Sequence, residues 1–400
     1  MRKTTCLLSV LLPMALIACT EQSLPQFGDP VPVTVPSGKP AYGPRLTQGA
    51  SSGAVLSWME RHDNDASLHF SNYYDDSWLP ARTVVTDERM FVNWADLPAV
   101  VSIGPASFLA YWLSYTDDAP YAYQVLTAFS EDDGESWGTP GSPHTDGTPT
   151  EHGFVSSFPA EDGTGLIWLD GRNTPDEGMT LRGAMLGSDG SLHDETLLDD
   201  RVCDCCQTDV AVTDAGPVAV YRNRTMDEVR DIYVTRQHNG KWQTGAPVSN
   251  DGWKISGCPV NGPSIAADGK RVVVAWFTAA NDKSIVKTAV SKNAGRSFSA
   301  PVEISSKNVL GRVGTAMVDR NSFVVSWMES DKTGTYAVKL RGMTFDGQLG
   351  PVQTIGRTSV ARTVPQMARV GDQLILAWTD EMNDLSKVVS VNVRILGFYD

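Results

Sequence analysis

Residues 262–304 read GPSIAADGKRVVVAWFTAANDKSIVKTAVSKNAGRSFSAPVEI. Four short segments stand out: PSIAAD, RVVVAWFT, SIVKTAVS and PVEI. Each is rich in β-branched or aliphatic residues and too short for a helix, and turn-forming residues separate them. The second segment ends on Trp276, and that pattern recurs outward in both directions. The runs AVLSW, FLAYW, GLIW, VAVY, VVVAW, FVVSW and LILAW end on Trp58, Trp112, Trp168, Tyr221, Trp276, Trp327 and Trp378. Successive spacings are 54, 56, 53, 55, 51 and 51 residues. A period of roughly 40–50 residues made of short strands predicts a β-propeller, whose blades bury their faces only against neighbouring blades. Seven landmarks predict seven four-stranded blades in an all-β domain over 28–400.

The outer strand recurs near Pro80, Pro247, Pro301 and Pro351, but nothing follows the last repeat. A matching strand stands at the other end, in DPVPVTV over Asp29 to Val35. Pairing it with the last blade closes the ring and removes exposed sheet edges. Ahead of it, Arg2 and Lys3, an apolar run and the box Leu16-Ile17-Ala18-Cys19 resemble a bacterial lipoprotein signal. The resemblance implies a signal peptide over 1–18, an acylated Cys19 and a tether over 19–27. It also implies lipid anchoring in the cell envelope, at the outer membrane because no Asp follows the cysteine.

Lys and Arg total 33 against 47 Asp and Glu, a formal charge of −14. That excess argues against nucleic acid as a partner and leaves the lipid anchor as the only membrane contact.

Ser130-Glu131-Asp132-Asp133-Gly134-Glu135-Ser136-Trp137 fits S-x-D-x-G-x-[ST]-W, and Ser291 to Phe298 is a relaxed copy. These turns resemble the Asp boxes of sialidase-like (BNR repeat) propellers. The resemblance implies binding or hydrolysis of a glycan or another small anionic or polyhydroxylated ligand, with no cofactor required. The chain departs from the sialidases in lacking an Arg-Ile-Pro segment and in its seven landmarks against their six blades.

Loops leaving second strands and loops leading into first strands share the face opposite the boxes. Two residues past the landmarks lie Glu60, Asp170, Glu329 and Asp380, with Arg172 beside Asp170 and Arg222 and Arg224 in the next blade. Loops leading into first strands add Glu151, His152, Asp209, Asn261 and Arg312. Paired carboxylates and guanidinium forks suit a sugar or an anion. Asp170, Glu151 and His152 are therefore the expected catalytic groups. Arg172, Arg222, Arg224, Asp209, Asn261 and Arg312 are the expected ligand-binding groups.

Cys203, Cys205 and Cys206 lie in RVCDCCQTD, and Cys258 lies in ISGCPVNGP. These equivalent loops of adjacent blades meet on one face. An even count outside the cytoplasm favours disulfides. The alternatives are redox chemistry or a thiolate site for copper or zinc. With them stands a non-catalytic propeller that docks proteins or a metal.

Overall fold

A computed structural model of the chain describes residues 24–397, apart from 39, 50–52, 161–162, 175–176, 188, 332–333 and 384. The signal, Cys19 and most of the tether lie outside the described residues. Among the described residues no helix is long and apolar enough to cross a membrane.

Seven antiparallel sheets follow one another along the chain. The quoted repeat forms Ser264–Asp268, Arg271–Thr278, Ile285–Ser291 and Val302–Ser305 in that spatial order. In the second blade a bridge between Thr127 and Gly141 takes the place of a full outer strand. Each second strand is buried on both faces, which explains its unbroken apolar run.

The core is divided as the fold is. Seven apolar clusters form, one between each pair of neighbouring blades. Each contains one landmark ring, and all seven rings are at most 3% exposed. A bulky ring is therefore needed once per repeat because each interface needs its own filler.

Ring closure follows the expected pairing. Val31–Val33 pairs with Asn392, Val391 and Ser390 of the last strand. Gln26–Phe27 extends that pairing to Leu396 and Ile395.

In the turn after Tyr123–Ser130, Asp132 accepts hydrogen bonds from the Ser136 amide at 2.9 Å and the Ser136 hydroxyl at 2.6 Å. Gly134 sits at φ +80°, and a Cβ there would lie 2.3 Å from the Phe70 ring of the preceding blade. Gly134→Ala will cost about 2 kcal/mol or more through left-handed strain and the clash. A urea midpoint equal to that of the parent would contradict this.

Candidate functional site

The carboxylates two residues past the landmarks turn back onto the rings. The Trp58 indole donates to Glu60 at 2.8 Å, Trp168 to Asp170 at 2.8 Å and Trp327 to Glu329 at 2.9 Å. Where position +2 is not acidic, another carboxylate serves. Trp112 reaches Asp87, Tyr221 reaches Asp199 and Trp276 reaches Asp251. Asp380 instead accepts from Thr358 and the Ser359 amide.

Asp170 is fully buried and is the hub of the third blade. Arg172 grips it with two hydrogen bonds of 2.7 Å and pairs with Glu195 at 2.8 Å. His152, also fully buried, stacks on His144 at 3.9 Å and donates through Nδ1 to the Thr150 carbonyl at 2.9 Å. Burial alone would raise the Asp170 carboxyl, but the Arg172 bonds and the neighbouring His152 outweigh it and hold it below the usual range. Burial, with His152 next in weight, pushes His144 down to about 4.

Glu151 faces a different network. The Tyr123 hydroxyl lies 2.6 Å from Glu151 and 3.2 Å from the buried Asp96, which also accepts the Phe154 amide at 2.7 Å. Burial pushes Glu151 up to about 7 and Asp96 up to about 8. Nothing in the spacing of Tyr123 marked it for this position.

The loops of the fourth and fifth blades meet as expected, but among the described residues no cysteine is paired in the disulfides favoured from the even count. All four cysteines are free thiols. Cys203 and Cys206 Sγ stand 3.2 Å apart, well beyond the roughly 2.05 Å of a bond. The sulfurs of Cys203, Cys205 and Cys206 all lie within 4.8 Å of one another. The Cys205 thiol donates to Cys258, which lowers the pKa of the latter. The sulfurs thus gather into one cluster. Hydrogen bonds from Cys205 and Cys206, with Arg222 nearby, pull Cys203 below the usual thiol range. Burial pushes Cys206 up.

The loop that carries the cluster is pinned on every side. The Cys203 amide donates to the Arg222 carbonyl at 2.9 Å. Gln207 spans the mouth of the channel, donating to the Ala95 carbonyl at 2.9 Å and accepting from the Gly262 amide at 3.0 Å. Below it lies a cavity of about 190 Å³ lined by Arg45, Asp209, Arg312 and Gln366. A larger cavity, about 500 Å³, lies against Asp133 and contains no cysteine.

One arginine touches the sulfurs directly, and three more lie on the loops around them. Arg230, which is 3% exposed and unforeseen from sequence, donates to Cys203 Sγ at 3.3 Å and pairs with Glu228 at 2.8 Å. Arg224 joins Glu228 at 2.8 Å and Asp204 at 3.0 Å, tying the cysteine loop to its neighbour. Arg222 is 2% exposed and donates only to the carbonyls of Asn261, Arg230 and Phe277, with its guanidinium 4.8 Å over Trp253. Arg312 lies 4.7 Å over Trp94 and donates to the Val260 carbonyl. Asn261 is a brace: its Oδ1 accepts the Arg312 amide at 2.9 Å. Asp209 accepts the Ile265 amide at 2.9 Å. The nominated binding residues therefore lie on one face, but most of their polar atoms are already engaged with protein groups.

No protein-family model and no curated protein matches the chain. Among solved structures it is similar to a Dyadobacter fermentans protein of unknown function, with TM-score 0.53, 12% identity and coverage of 93% of this chain and 99% of that one. It is similar also to the polysaccharide lyase Uly1, with TM-score 0.50, 9% identity and coverage of 89% and 90%. A NanB sialidase variant from Streptococcus pneumoniae gives TM-score 0.48, 8% identity and coverage of 86% and 83%. At these identities the likeness is one of fold.

Proposed function

We propose that this chain is a lipid-anchored, extracytoplasmic propeller that binds a soft metal ion through Cys203, Cys205 and Cys206 of the loop entering its fourth blade. The observation that carries the reading is the convergence of the Cys203, Cys205 and Cys206 sulfurs within 4.8 Å, with Cys258 bonded at their edge. Three thiols in one loop, held between neighbouring blades, form a soft donor set that favours copper(I) or zinc(II) over hard cations. Zn–S bonds of about 2.3 Å would place sulfurs roughly 3.8 Å apart, so only small movements from the present spacing are needed.

Protein reduced and kept free of oxygen, titrated with Cu(I) or Zn(II) against a chromogenic chelator, should hold one ion tightly. Cys203→Ser combined with Cys206→Ser should weaken binding by at least about 100-fold. Saturation at a thousand times the parent Kd should add about 4 kcal/mol to parent stability and about 1.4 kcal/mol or less to the variant. Equal binding by parent and variant overturns the reading.

A second reading, a glycan or other polyhydroxylated ligand on the same face, is favoured by the fold shared with the polysaccharide lyase over 89% of this chain. Fold alone supplies no chemistry. Asp170, Arg172, Arg222 and Arg224, the groups it requires, are engaged with one another, with backbone carbonyls or with the carboxylates of Asp204 and Glu228. Glycan-array binding that survives the cysteine changes would favour it.

A further inference from the structure

Resting on the metal reading, we propose that the ion is Cu(I), held by the Cys203, Cys205 and Cys206 thiolates, and that Cys258 is the exchange ligand through which it enters and leaves.

The first argument is charge. Among the described residues neither Arg222 nor Arg312 meets a carboxylate. A buried cation without a counter-charge is costly, and both lie beside the cysteines. Three thiolates around one Cu(I) carry two net negative charges, matching these two guanidinium groups. Zn(II) reaches the same charge only with a fourth thiolate, that is, with Cys258 held as a permanent ligand.

The second argument is the asymmetry of the four thiols. Cys203 and Cys206 are each 1% exposed and Cys205 is half-buried, whereas Cys258 is exposed. Ser256 and Gly257 beside it are exposed as well, and a Cβ built on Gly257 would meet nothing within 4 Å. Structural zinc is normally closed in by four ligands. Here three are fixed and the fourth faces water.

The third is how that fourth thiol is aimed. Val260, a β-branched residue two positions on, sits at φ 48°, and Arg312, which binds its carbonyl, sits at φ 56°. Left-handed backbone at such residues is strained and needs local over-determination. Here it fixes the segment that carries Cys258 beside Cys205.

Exchange then proceeds by ligand substitution. A Cu–S bond to Cys258 forms as the bond to an incoming carrier's donor breaks. Cys258 in turn is displaced by one of the buried thiolates. Copper stays Cu(I), no electron moves, and the thiol protons leave to solvent.

The test compares the full chain with its Cys258→Ser variant, both loaded with Cu(I). The variant should keep one copper per chain with affinity within about 3-fold of the parent and three sulfurs by X-ray absorption. It should also surrender copper to an external thiol chelator about 10-fold more slowly. If Cys258→Ser loses affinity as severely as Cys203→Ser, or if Zn(II) bound by four sulfurs displaces Cu(I) in the parent, the exchange-ligand assignment is wrong while the metal site stands. If the parent binds neither ion, both readings fall together.

Discussion

Removal of residues 24–35 will cost the propeller roughly 5 kcal/mol, a large part of the 5–15 kcal/mol that holds a typical domain together. The segment is joined to two blades. Val31–Val33 and Gln26–Phe27 pair with the last strand, and the Gly28 amide donates to the Arg394 carbonyl at 2.8 Å. Toward the sixth blade, Gln353 donates to the Gly28 carbonyl at 2.8 Å. Pro25 and Phe27 lie so close over Gly342 that a Cβ there would come within 2.5 Å of the proline ring. The pairing and the partial burial of Phe27, Val33 and Val35 against the last blade and its neighbours supply that stabilisation. Loss of the segment also bares Leu385–Leu396 as a 12-residue edge whose Val393 and Ile395 are now at most 3% exposed. An edge of that length invites pairing with other chains. The shortened chain should show a lower urea midpoint and concentration-dependent association. An unchanged midpoint from a monomer would mean that the ring is closed by other contacts.

The period and the closure were legible because they are properties of one strand at a time. Alternation, length and a bulky terminal ring are written locally, and seven copies reinforce the same reading. The direction of the polar side chains was not legible in that way, yet one signal was present. Side chains two apart on a strand share a face. Glu60, Asp170 and Glu329 therefore lie beside Trp58, Trp168 and Trp327 and accept their indole N–H groups, which would otherwise be buried without partners. The substitutes Asp87, Asp199 and Asp251 come 22–25 residues before their partner rings, a separation no strand period reveals. The cysteines show the same limit. Adjacent loops placed them together, but the choice between bonded pairs and one cluster depends on rotamers set by Gln207 and Arg230, which carry no sequence mark.

Asp170→Ala will lower stability by about 3–5 kcal/mol, the cost of removing one partner from a buried ion pair. A solvent-facing catalytic carboxylate could be removed with little change in melting temperature. Asp170 differs because its loss strips Arg172 of a two-bond grip, leaves the Trp168 indole without its acceptor and removes a negative charge facing His152 at 3.7 Å. Asp170→Asn should cost less, since the amide oxygen still accepts one of these bonds, although the charge is gone. The pH dependence separates charge from shape. The folded-state carboxyl is held below its unfolded value of roughly 4, so its stabilisation is present above that pH and is lost as pH falls through the folded value. Asp96 and Glu151 act in the opposite sense. Burial raises them to about 8 and about 7, so their contribution weakens as pH climbs from about 4 toward those values. The informative quantity is therefore the difference between parent and Asp170→Asn. It should be constant from pH 5 to 8 and shrink below about pH 4, as the parent carboxylate takes up its proton. A difference near zero at pH 7 would return Asp170 to the solvent-facing role that its position in the sequence first implied.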